Sequence, residues 1–164
     1  MIRKAGFAPV VDADTRLLIL GSLPGDASLK AAQYYGHPRN AFWRLIGGVI
    51  GSDLVALPYE ERLAALKRAG VGLWDVIASA ERPGSLDAAI RRPEAADLRG
   101  LVAGLPKLEV VAFNGGKAAK LGRLILKNPP DGVALIDLPS SSPAHAGPLE
   151  EKATAWARLA VHLG

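Results

Sequence analysis

The segment Tyr34-Tyr35-Gly36-His37-Pro38-Arg39-Asn40-Ala41-Phe42-Trp43 concentrates four aromatic rings, a histidine, an arginine and an asparagine. An aromatic ring beside a neutral amide suits a flat heterocycle such as an unstacked base, which offers a π-face and a hydrogen-bonding edge. Tyr35 and Asn40 are the residues of those types. Asn40 also reads as the N-cap of a helix beginning at Ala41, with Phe42, Trp43 and Ile46 as its buried face, and the two roles are compatible. His37 is the right type for a general acid, and a His-Pro turn accounts for it equally well.

Three other loops carry polar or backbone chemistry. Gly21-Ser22-Leu23-Pro24-Gly25-Asp26-Ala27-Ser28 follows an apolar run, and its small residues let backbone N–H groups approach a phosphate or carbonyl oxygen. It matches neither GxGxxG nor GxxxxGK[ST], so a dinucleotide or P-loop site is excluded. Asn114-Gly115-Gly116-Lys117 reads as a helix start facing a cleft, with Asn114 as a base or phosphate contact or simply the cap. Leu138-Pro139-Ser140-Ser141-Ser142-Pro143-Ala144-His145 is rich in hydroxyls, but with no GxSxG elbow or legible triad it does not read as a serine hydrolase. Asp75 lies inside an apolar run, where a carboxylate is costly unless it caps backbone N–H groups or serves a site at the strand end. Ser85 is a weaker phosphate-contact candidate, Asp26 a helix-start residue, His162 unremarkable, and Lys117, Lys120, Arg123 and Lys127 a solvated helix face.

The elements that must position these loops follow from periodicity. Apolar runs at Arg16–Gly21, Gly72–Ala78, Glu109–Asn114 and Val133–Leu138 predict buried strands. Helical spacing over Ala41–Ile50, Tyr59–Ala69, Glu94–Ala103, Lys117–Lys127 and Glu150–Leu163 predicts the helices, with Pro58, Pro93 and Pro148 at or near first turns. Apolar strands alternating with amphipathic helices imply an α/β fold, a three-layer α/β/α sandwich around a central four-stranded parallel sheet. Ligands of such a sheet bind beyond the carboxyl ends of its strands, where the unusual loops lie.

At 164 residues and 49% hydrophobic content the chain is expected to form a single domain over residues 1–164. Having no cysteine excludes disulfides, a thiolate nucleophile, cysteine-ligated zinc and iron–sulfur clusters. No apolar leader or membrane-length run is present, so a cytoplasmic protein without membrane association is expected. A net charge of +4 suits an anionic partner only weakly.

GSLPG followed by YYGHPRNAFW resembles the first motif of the uracil-DNA glycosylase superfamily, and within it the hypoxanthine (deoxyinosine) DNA glycosylase branch; the HPxNxFW part is shared with mismatch-specific uracil glycosylases. LPSSSPAH at 138–145 resembles the second motif, the loop that enters the minor groove and pinches the phosphates. GLWDV at 72–76 and FNG at 113–115 sit at family-like places. The resemblance implies that Tyr35 stacks on the flipped base and that Asn40 is the catalytic asparagine. Many members carry Asp or Asn at the third position of the first motif to activate water. Here Leu23 stands there, which agrees with the deoxyinosine branch and leaves Asn40 to place the water. Leu138 likewise replaces the His or Asn that precedes Pro-Ser in better-known uracil enzymes. Stabilisation of the departing base anion then falls to backbone amides, to the hydroxyls of Ser140, Ser141 and Ser142, or to His145.

The resulting expectation is a monomeric, monofunctional glycosylase acting on DNA that contains a deaminated base, preferentially hypoxanthine. Asn40, Ser140 and Ser142 are its catalytic residues, and Gly21, Ser22, Leu23, Pro24, Tyr35, His37, Asp75, Asn114, Ser141 and His145 bind the substrate. No metal, cofactor or obligatory protein partner is required. No lysine stands in either principal motif as an amine nucleophile, which implies hydrolysis without lyase cleavage. The alternatives are a uracil or mismatch glycosylase, and a non-catalytic nucleic-acid-binding module of the same fold.

Overall fold

A computed structural model describes residues 3–145 and 147–164. In chain order the elements are β1 (Arg3–Ala5), β2 (Leu17–Gly21), α1 (Asp26–Ala31), α2 (Phe42–Ile50), α3 (Tyr59–Arg68), β3 (Val71–Asp75), β4 (Ile77–Glu81), β5 (Arg91–Ala95), α4 (Leu98–Ala103), β6 (Val110–Asn114), α5 (Gly116–Ile125), β7 (Ala134–Leu138) and α6 (Leu149–Ala157). The four expected strands form one parallel sheet in the order β3-β2-β6-β7. Its two central strands are buried along their whole length.

Strand alternation divides the core in two. Leu17 and Ile19 pack with Phe42, Ile46, Leu66 and Trp156 from α2, α3 and α6. Leu18, Leu20, Val111 and Phe113 pack on the other face with Leu98, Val102 and Ala118 from α4 and α5. These are the three layers that continuous apolar strands require, since a sheet hydrophobic on both faces must be covered on both.

Four local readings are corrected. The run at Gly72–Ala78 is broken after Asp75: Val76, whose N–H still donates to the Gly21 carbonyl, lies between strands, and the chain continues as β4 in an antiparallel sheet ordered β1-β4-β5. Residues 94–95, expected to begin a helix, instead end β5, and Pro93 lies in that edge strand, where its missing N–H costs no ladder bond. Helix α4 starts only at Leu98, because the Asp97 carboxylate accepts the Gly100 N–H at 3.1 Å and caps it. β7 is the sheet edge and not a buried strand; of its residues only Leu138 is buried. The last helix ends at Ala157 and continues as a 3₁₀ turn over Arg158–His162. Among the described residues no helix is long and apolar enough to cross a membrane.

Candidate active site

The main-sheet strands end together. Gly21 of β2 pairs with Asp75 of β3, and Asn114 of β6 pairs with Leu138 of β7. Beyond these carboxyl ends lies a cavity of about 460 Å³ lined by every candidate site residue, including Asn40, Tyr35, His37, Asp75, Asn114 and the serine loop from Ser140 to His145. Sequence positions more than a hundred residues apart converge there because parallel strands present their following loops on one edge.

Asp75 forms the floor. It is buried, and its Oδ2 has no hydrogen-bond partner. Burial pushes its carboxyl up to about 7, helped by nearby Asp87 and opposed by Arg82. Gly21 keeps this floor open: a Cβ there would lie 2.7 Å from Asp75 Oδ1 and 3.0 Å from the Tyr35 hydroxyl oxygen.

Tyr35 adopts a left-handed backbone with φ of 53°. One face of its ring stacks on Phe42, with centroids 3.9 Å apart and planes 17° apart, so a base can stack only on the opposite face. Its hydroxyl accepts from Asn114 Nδ2 at 3.3 Å, and burial beside Asp75 raises its pKa, keeping the phenol protonated.

Asn40 is the residue before the cap of α2, not the cap itself, which is Ala41. Its Oδ1 nevertheless accepts the Phe42 N–H at 3.0 Å, which fixes which end of the amide is oxygen. The second Oδ1 lone pair remains, and Nδ2 donates to none of the described residues. The expected dual role is therefore compatible with the geometry. His37 is held in its turn: its Nδ1 accepts the Arg39 N–H at 3.1 Å and its carbonyl accepts the Asn40 N–H at 3.0 Å. With Nδ1 accepting, Nε2 carries the ring proton.

The serine loop is braced internally. Asn114 holds Ser141 at both ends of its amide: Oδ1 accepts the Ser141 N–H and Nδ2 donates to Ser141 Oγ, each at 2.9 Å. Ser140 Oγ accepts the Ser142 N–H at 3.1 Å, and Ser142 Oγ accepts the Ala144 N–H at 3.2 Å. The His145 N–H reaches the Ser142 carbonyl at 3.1 Å. The amides of Ser141, Ser142, Ala144 and His145 are thus occupied within the protein. The hydroxyls differ. Each of the three serines uses its oxygen as an acceptor, and none of their protons has an acceptor among the described residues, so the loop offers O–H donors. The loop is joined to the aromatic segment by Ala41 N–H donating to the Ser141 carbonyl at 3.0 Å.

In the first loop, the Ser22 hydroxyl lies 2.6 Å from Asp87 Oδ1, so its proton is committed within the protein. The Leu23 side chain is buried in the second core cluster. Ser85 accepts the Asp26 N–H at 2.9 Å, which ties the loop after β4 to the first loop. Reading by residue type alone missed Arg82, Lys152 and Trp156. Arg82 is buried and donates to the carbonyls of Leu23 and Pro24, behind the first loop. From α6, Lys152 donates to the carbonyls of Ser142 and His145, and Trp156 Nε1 donates to that of Pro139 at 3.0 Å. The four-residue spacing of Lys152 and Trp156 on one helix face was the available signal. The described residues hold no cluster of His, Asp or Glu suited to a metal ion.

The four-stranded parallel sheet covered on both faces, with its loops gathered at the strand ends, fits a further finding: residues 8–160 match the model of the Uracil DNA glycosylase superfamily. The chain belongs to that superfamily. It is 43% identical over 156 residues to the hypoxanthine DNA glycosylase of Methanosarcina barkeri, covering 95% of this chain and 97% of that protein. The hypoxanthine DNA glycosylase of Methanosarcina acetivorans is 42% identical over 159 residues, covering 97% and 99%. A solution NMR structure of a Methanosarcina acetivorans protein provisionally named uracil DNA glycosylase superposes with a TM-score of 0.87 at 41% identity, covering 99% of both chains.

Proposed function

We propose that this protein is a monofunctional DNA glycosylase that flips deoxyinosine out of DNA and hydrolyses the bond between hypoxanthine and the sugar. It acts as one domain spanning residues 1–164, as a monomer, with no metal or organic cofactor. The observation that carries the reading is the convergence of Asn40, Tyr35, Asp75 and the serine hydroxyls in one cavity at the strand ends. Near-full-length similarity to two proteins named hypoxanthine DNA glycosylase supports the choice of base.

The chemistry follows from where charge develops. As the C1′–N9 bond breaks, its electron pair leaves with the base and positive charge builds on the sugar. Asn40 Oδ1, held by the Phe42 N–H, accepts a hydrogen bond from the attacking water, whose oxygen bonds to C1′ and whose proton passes to solvent. The free face of Tyr35 stacks on the base. Neutral Asp75 carries one donor and one acceptor, matching the O6 and N1–H of hypoxanthine side by side; its donation to O6 strengthens as negative charge accumulates there. The O–H groups of Ser140 and Ser142 meet the remaining anionic oxygens. A deaminated base pairs poorly, so extrusion costs less than for a normal pair.

The test is excision from oligonucleotides carrying a single inosine, uracil or xanthine. Preferential release of hypoxanthine is expected. Preferential release of uracil would move the protein to the uracil or mismatch type, and tight binding of inosine DNA without turnover would make it a non-catalytic module.

A further inference from the structure

We propose that Lys152 is a positioning residue whose buried, uncompensated charge makes the serine loop a receptor for anionic oxygen, an inference that rests on the glycosylase reading only in taking DNA as the ligand. Lys152 is 7% exposed, yet no carboxylate lies within ion-pair range of it among the described residues. Its Nζ donates to the carbonyls of Ser142 at 3.4 Å and His145 at 3.2 Å.

A buried ammonium without a counter-charge is expensive, and two carbonyl contacts offset that cost only in part. Burial indeed lowers its pKa. Stability therefore does not account for its presence, and the loop above it does. Both carbonyls it holds belong to the turn whose serine protons have no acceptor among the described residues, and the helix bearing Lys152 also holds Pro139 through Trp156. Through these two carbonyls the cation is held against the turn that bears the hydroxyls. The first loop is held likewise, with buried Arg82 donating to the carbonyls of Leu23 and Pro24, but Asp87 lies 3.6 Å from Arg82 and neutralises it in part. Lys152 has no such counter-charge. The anionic oxygen it favours is either a DNA phosphate or the departing base.

The experiment compares wild type with Lys152→Met, Lys152→Gln and Lys152→Arg in three readouts: thermal melting, affinity and salt dependence for an abasic-site duplex, and single-turnover hypoxanthine release at saturating DNA. Met and Gln are expected to fold at least as stably as wild type and to lose about tenfold in affinity or in rate, with Arg restoring most of it. Loss of affinity with a shallower salt slope assigns the charge to phosphate. Loss of rate alone assigns it to the base anion. Gln behaving like wild type would show that only carbonyl holding matters and would overturn the proposal, as would Met within twofold of wild type in both DNA readouts. The abasic-duplex arm needs no particular base, so wild type failing to release hypoxanthine would count against the glycosylase reading and leave Lys152 tested.

Discussion

Asp75 shows how a single residue can look like a defect in one frame and like a tool in another. A carboxylate within an apolar strand contradicts the run around it, and its place in the lining of the cavity at the strand ends supplies the reason. Because burial raises its pKa to about 7, the folded protein holds this proton where the unfolded chain has released it. The sign follows: Asp75 costs no stability below its ordinary carboxylate range, and the cost grows as pH rises towards and through 7. Asp75→Asn, which keeps one donor and one acceptor and never ionises, is expected to raise the melting temperature more at pH 8 than at pH 5, where only part of that cost has built up. It is also expected to flatten the fall in hypoxanthine excision above pH 7. Differential scanning fluorimetry and single-turnover assays across that range check both; equal stabilisation at the two pH values would show that Asp75 does not titrate there.

At the scale of elements, the cavity depends on α6 as much as on the strands. Trp156 is fully buried and donates to the Pro139 carbonyl at the root of the serine loop. Trp156→Phe keeps most of the ring volume and removes the donor, so a loss of about 1–2 kcal/mol in denaturant unfolding is expected, with a larger proportional fall in excision because the loop loses an anchor. Unfolding and excision changing in the same proportion would assign Trp156 to the core alone. The same element explains why part of the site was legible and part was not. Asn40, Tyr35, Asn114 and the serines announce themselves because their types are unusual beside glycine and proline at strand ends. Lys152 sits beside Glu150 and Glu151, and only the distant carbonyls of Ser142 and His145 make it a buried cation. Arg82 is hidden for the same reason. The stretch around Pro93 carries no strand signal because β5, Arg-Arg-Pro-Glu-Ala, is a bulged edge strand exposed at every position, so nothing alternates with a period of two.

Across the whole molecule, the parallel sheet was readable because its central strands are buried on both faces, whereas the antiparallel sheet of three exposed or half-buried strands left little hydrophobic signal. That second sheet is nevertheless what carries Arg82 and Ser85 to the first loop. The assembled cavity is lined by the Asn40 amide, the serine hydroxyls and the Asp75 carboxyl. Lys152 donates to two carbonyls of the serine loop, and no lysine is among the described residues that line the cavity. Borohydride added during turnover is therefore expected to trap no protein–DNA adduct, and a chelator is expected to leave excision unchanged. A trapped adduct would require an amine nucleophile and a lyase step.

The most direct test of the account is single-turnover hypoxanthine release from an inosine duplex by wild type and by Asn40→Ala. With the water no longer held against C1′, the variant is expected to lose at least about a hundredfold in rate while keeping its melting temperature and most of its DNA affinity. Release by Asn40→Ala at a rate close to wild type would contradict the assignment of Asn40 and the hydrolytic mechanism built on it.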